Sequence, residues 1–253
     1  MLQKQALELT HRLLEANLPR GRRLQVLEAG GGSFTHIRLP RERRVAVLDI
    51  SAEQLARNEY ADDKILGDLE EFDGEAGRFD LVVCYDVLEH LGRPERALAN
   101  MARTLSPGGL MVIGCPNRDS FKGLVTRFTP HFFHVWYYRQ VRGDTKAGLP
   151  GHAPFPAPMK STMGLSGILG AAQKLDLEVL ATHHYIGETV QELRSRYPLL
   201  HAIYAPLASL VGWFCRPERN RGTTDLLIVL RRKRAAKTQP RYAMPARRSV
   251  ALV

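Results

Sequence analysis

A glycine-rich turn follows the first strongly apolar run of the chain and is the first candidate for a ligand site. Residues 24–29 lead into Gly30, Gly31 and Gly32. Because glycine has no side chain, the backbone of such a turn can approach a ligand closely, at the sheet edge where parallel α/β folds bind ligands. The next apolar run ends in Asp49, about 20 residues after the turn, where a carboxylate can accept hydrogen bonds from both hydroxyls of a ribose. Together they predict a site for a nucleoside-containing ligand.

The glycine pattern differs from the fingerprint of dinucleotide-binding proteins. Gly32 is followed by Phe34 and Thr35 rather than by a further glycine, and the acidic Glu28 lies inside the motif. The spacing GxGxxG is therefore not present, and the motif is of another type.

Histidine is the side chain best suited to accept a proton at neutral pH, so the nine histidines of the chain are candidate general bases. His90 follows the apolar run 79–84, and a structural role is favoured for it. His131 and His134 lie in an aromatic block, residues 128–138, which holds six of the 19 aromatic side chains. Contact with substrate by His131, His134 or His152 stays open, whereas most of the aromatic side chains are expected to be core beneath a long connection.

Apolar runs and helical patterns alternate along the chain after residue 20. The runs are rich in Val, Ile and Leu without two-residue alternation, as in strands that are buried on both faces of a parallel sheet. They lie at residues 24–29, 44–48, 79–84, 110–114, 177–182 and 225–230, with helical patterns at 51–58 and 94–105. This succession predicts an α/β protein with a doubly wound sheet.

Charge is unevenly distributed along the 253 residues. The formal net charge is +10, but residues 231–253 hold eight Lys or Arg and no acid, so residues 1–230 carry 28 basic against 26 acidic groups. The nearly neutral folded part does not favour a basic groove for nucleic acid. Residues 233–253 are expected to be a basic flexible tail.

The cysteines and the N-terminal residues indicate the cellular compartment in which the protein is expected. Three scattered cysteines, Cys84, Cys115 and Cys215, predict neither a disulfide framework nor a metal cluster. Residues 1–18 have the pattern of an amphipathic helix, interrupted by charges, rather than that of a secretory signal. Because no run reaches the ~20 unbroken apolar residues of a spanning helix, a cytoplasmic protein is expected.

Five motifs, in order over about residues 24–115, resemble the class I S-adenosylmethionine-dependent methyltransferases, particularly the small-molecule group that includes the ubiquinone and menaquinone enzymes. They are VLEAGGGS, VLDIS, LGDLEEF, FDLVVCYDVLEHL and LSPGGLMVIGCPN. The resemblance implies a Rossmann-like, mostly parallel sheet of seven strands with the last strand antiparallel, and S-adenosyl-L-methionine as cofactor.

The resemblance also implies roles for the loop and for the end of the second strand. Glu28, Gly30 and Gly32 would bind the cofactor, with Glu28 and Gly30 by its methionine end. Asp49 would hold the ribose, and Ile50 would pack on the adenine.

Two later motifs complete the implied site. Asp68 with Leu69 would meet the adenine amino group, although Asp68 could also simply cap a turn. Tyr85 and Asp86, at the mouth of the fourth strand, would face the methyl group and the substrate.

A single methyltransferase domain is expected over residues 1–232, with an N-terminal helix at 1–20 and substrate-cap insertions at 116–160 and 185–222. One departure from the family is Phe34, which stands where a third glycine is usual. Another is that Pro40 follows the loop so soon that the first helix should be short.

The expected acceptor is an oxygen on a small molecule, a sugar or a lipid-like molecule. Tyr85-Asp86-Val87-Leu88 stands where N-methylating enzymes carry an Asn-Pro-Pro-Tyr type of stretch, and Cys115 does not occupy the position of a cytosine-methylating nucleophile. Two alternatives stay open: an RNA-modifying methyltransferase that uses the basic tail, and a catalytically silent scaffold with a cofactor fold.

Residues 197–215 contain no charged side chain and place Leu199, Ile203, Leu207 and Leu210 on one helical face. One interpretation is a helix buried over the substrate pocket or in a dimer contact. The other is an interfacial helix that, with the basic tail, makes peripheral contact with a membrane holding the acceptor.

Overall fold

A seven-stranded sheet is the centre of the protein in this computed structural model, which describes residues 1–40, 42–149, 152–214 and 223–234. The strands are β1 (Leu24–Ala29), β2 (Arg43–Asp49), β3 (Asp63–Leu66), β4 (Phe79–Tyr85), β5 (Leu105–Pro116), β6 (Leu177–Tyr185) and β7 (Asp225–Arg232). The helices are α1 (Gln3–Asn17), α2 (Ala52–Arg57), α3 (Pro94–Thr104), α4 (Phe121–Phe128), α5 (His131–Gln140), α6 (Leu165–Lys174), α7 (Glu188–Arg196) and α8 (Pro198–Phe214).

The strand order is β3-β2-β1-β4-β5-β7-β6, and β7 runs antiparallel to both of its neighbours while the other pairs are parallel. The predicted doubly wound sheet with an antiparallel last strand is confirmed. The order reverses between β1 and β4, so their carboxyl ends border the crevice where open α/β sheets bind ligands.

Both faces of the sheet are covered, which explains the continuous apolar runs. Alternate side chains of each central strand point to opposite layers. On one face Leu27, Val82 and Met111 pack with buried residues of α3 and α6. On the other face Val26 and Val83 belong to a cluster with buried residues of α1 and α2.

The predicted N-terminal helix is confirmed as α1, which buries Ala6, Thr10 and Leu14 at a spacing of four residues. The predicted short helix after the glycine loop is wrong, because residues 30–40 form turns and no helix. Three glycines and a proline within this segment disfavour helix. Ile37 and Leu39 are buried instead and fill part of the layer.

The sequence pattern did not identify β3. Only four residues form this edge strand, and they alternate between half-buried and exposed, with Asp63 and Lys64 at its start. No apolar run marks such a strand. Helix α2 begins as predicted after Ser51, whose hydroxyl accepts a hydrogen bond from the Gln54 N–H at 3.2 Å.

The two insertions are helical. Helices α4 and α5 follow β5, and α7 and α8 lie between β6 and β7. The expectation that the aromatic block is core is wrong, because α5 has no buried residue and the Phe128, Phe132, Phe133 and Trp136 side chains are exposed. The remainder of the second insertion and the tail from residue 235 lie outside the described residues. Within the described part of the chain, no helix combines the length and apolarity needed to cross a bilayer.

Candidate active site

The glycine loop after β1 has the left-handed backbone that glycine alone adopts at little cost. Gly30 has φ +73° and Gly32 has φ +53°. The Gly30 N–H donates to the Leu48 carbonyl at 2.7 Å, which fixes the loop to the end of β2. A Cβ atom on Gly30 would collide with the Val87 side chain, so this position tolerates no larger residue without movement.

Glu28, near the end of β1, stabilises the segment around this loop. Its side chain is buried, and its two carboxylate oxygens accept hydrogen bonds from the hydroxyls of Thr35 and Tyr60. Burial raises the pKa of Glu28, although both hydrogen bonds and the charge of Arg43 act against that rise. Glu28 therefore orders the segment around the loop, and direct contact with a cofactor stays a prediction.

Asp49 lies at the end of β2 beside the loop. Its Oδ2 accepts a hydrogen bond from the Gly32 N–H at 2.9 Å, and its Oδ1 accepts one from the Ser51 N–H at 2.8 Å. Each carboxylate oxygen can accept more than one hydrogen bond, so Asp49 can still bind ribose hydroxyls.

An apolar surface lies next to this carboxylate. Ile50 is 73% exposed and Leu66, at the end of β3, is 63% exposed. Large aliphatic side chains at neighbouring strand ends offer a contact surface to a flat aromatic base. Leu66 was not among the predicted residues, because β3 was not recognised.

Asp68 and Leu69 follow β3 in a turn. One Asp68 oxygen accepts a hydrogen bond from the Glu70 N–H at 2.8 Å, and the Leu69 carbonyl accepts one from Asn100 Nδ2 at 2.9 Å. Leu69 is buried while Asp68 is half-buried. The turn-capping alternative for Asp68 describes this contact, and the adenine contact stays a prediction.

The end of β4 places Tyr85 and Asp86 differently. Tyr85 is buried, and its hydroxyl lies 2.7 Å from the Tyr185 hydroxyl. Its ring stacks on His36, with ring centres 4.6 Å apart and an angle of 8° between the planes. Asp86 has φ +54°, a conformation that is strained for a residue other than glycine. Asp86 is exposed to solvent.

Charged residues gather around Asp86. Glu89 is buried, and its Oε2 has no hydrogen-bond partner among the described residues. Lys122 Nζ, from α4, lies 2.9 Å from Asp225 Oδ1 at the start of β7. Burial and the nearby carboxylates raise the pKa of both Asp86 and Glu89. Burial alone would lower the pKa of Lys122, but Asp225 and the other two acids outweigh it and raise that pKa.

The predicted histidines occupy separate positions. His90 Nδ1 lies 2.8 Å from the Pro156 carbonyl, and its ring meets Phe155 edge-on at 5.9 Å between centres. Burial lowers the pKa of His90. The charge of Asp86 acts against this lowering, so His90 lies close to Asp86. His134 Nε2 lies 2.8 Å from the Thr129 hydroxyl, while His131 is exposed on α5.

Besides Leu66, the sequence did not indicate His36, Lys122 or Asp225 as residues of the site. His36 lies in the loop after β1, and burial lowers its pKa, so it is a neutral base at pH 7. Lys122 and Asp225 are 103 positions apart in the sequence. The antiparallel pairing of Pro116 with Asp225 brings Lys122 close to Asp225, and no sequence motif predicts this pairing.

Cys115 is fully buried, and burial raises its pKa well above the usual thiol value. A neutral buried thiol is a weak nucleophile. The structure thus agrees with the interpretation that Cys115 takes no part in chemistry.

Part of the chain is similar to known proteins. Residues 27–113 match the family model described as a methyltransferase domain. A ubiquinone biosynthesis O-methyltransferase of Caulobacter sp. (strain K31) is 34% identical over 94 residues, which are 32% of this chain and 37% of that protein. The protein of the same name from Caulobacter vibrioides is 31% identical over 100 residues, 36% of this chain and 38% of its own length. The chain thus aligns with well under half of these curated relatives.

Solved structures share the fold over most of the chain. An S-adenosylmethionine-dependent methyltransferase from Mesorhizobium loti is 16% identical with a TM-score of 0.51, covering 87% of this chain and 96% of the other. The [4+2]-cyclase SpnF is 15% identical with a TM-score of 0.53, covering 92% of this chain and 83% of the other.

Proposed function

We propose that this chain, whose residues 27–113 match a methyltransferase domain and whose sheet has the strand order described above, is a class I S-adenosylmethionine-dependent methyltransferase. It would transfer a methyl group from S-adenosyl-L-methionine to an oxygen of a small or lipid-like acceptor. The observation that supports this best is the edge formed by β1, β2 and β4. There the Gly30 loop and Asp49 lie beside Asp86, at the point where the strand order reverses.

The residues of this edge fit the cofactor. A side chain on Gly30 would collide with Val87, whereas Gly32 has room for a Cβ atom but adopts a φ of +53° that favours glycine. The Asp49 carboxylate would take the ribose hydroxyls, and Ile50 with Leu66 would contact the adenine ring. When bound, the cofactor supplies an already activated sulfonium methyl group, so the protein has mainly to align the acceptor with it.

An oxygen acceptor suits the groups at the end of β4. An alcohol or phenol attacks more readily as it loses its proton to a general base. Asp86, with its raised pKa, and neutral His36 can each accept a proton near neutral pH. The name O-methyltransferase and the ubiquinone pathway of the Caulobacter relatives support an oxygen acceptor of lipid-like character.

The identity of the base is a separate proposal. Asp86 and His36 border the Tyr85 end of β4, whereas the predicted bases His131 and His134 lie on the outer helix α5 and His90 is tied to Pro156. We propose Asp86 or His36 as the general base, and variants of His90, His131 and His134 test this choice.

Calorimetry tests the cofactor first. S-adenosyl-L-methionine and S-adenosyl-L-homocysteine should both bind with Kd values in the micromolar range, since typical enzyme substrates bind there. A folded protein that binds neither ligand at millimolar concentration would overturn the enzyme proposal.

Methyl transfer to candidate acceptors then tests the acceptor. With isotopically labelled cofactor and a series of phenols that carry alkyl chains of increasing length, the product should be a methyl ether. Alanine variants of His36, His90, His131 and His134 and the variant Asp86→Asn separate the bases. Loss of about 10²–10⁴-fold in kcat marks the base, whereas an N-methylated product would overturn the oxygen acceptor.

A further inference from the structure

The cap helices α4, α5 and α8 expose an unusual number of large apolar side chains. They include Phe128 at the end of α4, Phe132 on α5, and Leu199, Ile203 and Trp213 on α8. Single exposed apolar residues are normal on protein surfaces, but a concentration of them on neighbouring helices marks an interaction surface. The interpretation of residues 197–215 as a helix buried over the pocket is therefore wrong for the face that carries Leu199, Ile203, Leu207 and Leu210.

The three helices form one connected unit, which we call the cap surface. Phe121 of α4 packs on Tyr204 of α8 with ring centres 5.2 Å apart. The Tyr197 hydroxyl, just before α8, donates to the Val141 carbonyl at the end of α5 at 3.0 Å. The exposed apolar residues thus belong to one part of the molecule rather than to scattered sites.

The cap surface carries more positive than negative charge. Residues 120–143 contain four Lys or Arg and no acid, whereas α7, which leads into α8, contains Glu188 and Glu192 as well as Arg194 and Arg196. Glu192 pairs with Arg142 at 3.5 Å and with Arg196 at 2.9 Å, and Lys122 pairs with Asp225. Arg127 lies over the Phe128 ring at 4.4 Å, and Arg139 donates to the Ala147 carbonyl, so neither contact neutralises the cation. An open groove of about 460 Å³ on α5 is lined by Phe132, Trp136 and Arg139 together.

We propose that the cap surface binds the surface of an anionic lipid bilayer, with the apolar side chains of α5 and α8 in the interfacial region and the arginines at the headgroups. Exposed apolar residues beside cations such as Arg127 and Arg139, whose contacts described above are not with acids, are what an anionic membrane surface attracts. The arginine- and lysine-rich sequence of residues 233–253 adds charge of the same sign. This inference goes beyond the proposed methyl transfer, because membrane binding needs neither cofactor nor acceptor.

The two tryptophans of the chain provide a direct probe. Trp136 is 54% exposed on α5 and Trp213 is 67% exposed on α8, so both lie on the cap surface. Tryptophan favours the bilayer interface. On addition of phosphatidylcholine vesicles that contain phosphatidylglycerol, the emission of the full chain should shift to the blue and become quenchable by brominated lipid. Pure phosphatidylcholine vesicles should give a much smaller change, and added salt should weaken the response.

Vesicle flotation with variants tests the surface itself. The variant Leu199→Ser/Ile203→Ser should bind anionic vesicles at least tenfold more weakly, and Phe132→Ser should weaken binding further. The matched control Leu9→Ser/Val179→Ser removes two apolar side chains that are exposed elsewhere, and should bind like the parent.

Two results would overturn the proposal. One is failure of the parent chain to float with anionic vesicles at low salt. The other is a dimer in light scattering, without lipid, whose tryptophans are already blue-shifted and shielded from acrylamide, because the cap surface would then bind a second copy. Cofactor calorimetry on the same samples reports on the methyltransferase proposal independently.

Discussion

The sheet with its cofactor edge and the cap surface use apolar residues in opposite ways. In β1, β4 and β5 nearly every side chain is buried. Charged residues lie near the strand ends, where Glu28 adjoins the site and Asp80, at the opposite end of β4, pairs with Arg22. In α5 and α8 the large apolar side chains face outward. The difference shows that apolar content alone does not identify a core. The strands are covered on both faces by helices of the same domain, whereas the cap helices have one covered side.

Matched leucine truncations test this difference most strongly. Leu98 of α3 is 1% exposed and Leu199 of α8 is 83% exposed. Leu98→Ala should reduce the free energy of unfolding by about 2–5 kcal/mol, because it leaves a cavity in the layer against the sheet. Leu199→Ala should change it by less than about 0.5 kcal/mol. Urea unfolding followed by circular dichroism measures both.

An equal loss in the two variants would show that α8 is packed in solution and would remove the contrast between the regions. It would also contradict an exposed cap surface, since a truncated side chain cannot destabilise a fold that it does not contact.

The glycine loop is the next most sensitive point, and the chain offers a close control. Gly30→Ala should weaken S-adenosyl-L-methionine binding by about a hundredfold, because the added Cβ collides with Val87 and displaces the loop. Gly21 has a similar φ, +75°, but an added Cβ there meets no atom within 4 Å. Gly21→Ala should therefore cost a similar backbone strain and leave the affinity unchanged.

Calorimetry on both variants separates the two effects. If Gly21→Ala weakened binding as much as Gly30→Ala, general destabilisation rather than the shape of the loop would account for the loss.

The sequence allowed much of the sheet to be predicted and little of the cap. Strands such as β4 are continuous apolar runs because both faces are buried, whereas β3 is a short edge strand with charged residues and has no such signal. Asp49 was found through its distance from the glycine loop. Lys122 and Asp225 were not found, because only the β5–β7 pairing brings them together. Helical spacing of apolar residues predicted α8, but this spacing does not determine whether the apolar face packs on the protein or is exposed.

A smaller effect on the cofactor edge comes from Asp49. Both of its oxygens accept backbone N–H groups, of Gly32 and Ser51, so Asp49→Asn must turn an NH₂ group toward one of these donors. The charge that favours ribose hydroxyls is also lost. Cofactor affinity should fall by about 10- to 100-fold. Asp63→Asn at the start of β3 removes an ion pair with Arg44 that is exposed, and should leave the affinity as it is.

The smallest effect concerns Glu89, on the side of the site that adjoins the cap. Burial and the repulsion of neighbouring carboxylates raise its pKa in the folded state. A carboxyl whose folded pKa is raised binds its proton more tightly in the native state. Its contribution to stability is therefore fully present below the unfolded pKa of about 4.3 and is lost as pH rises through the folded pKa.

The variant Glu89→Gln has an uncharged side chain at any pH. Relative to the parent, it should be near neutral in stability at about pH 4 and more stable by about 1–2 kcal/mol at about pH 9. Thermal unfolding of both proteins across this pH range measures the difference. If the stabilities of the two proteins change with pH in the same way, the pKa of Glu89 is not raised in the folded protein. Water or another partner would then reach Glu89, and the charged cluster at the end of β4 would be less buried than it is in this structure.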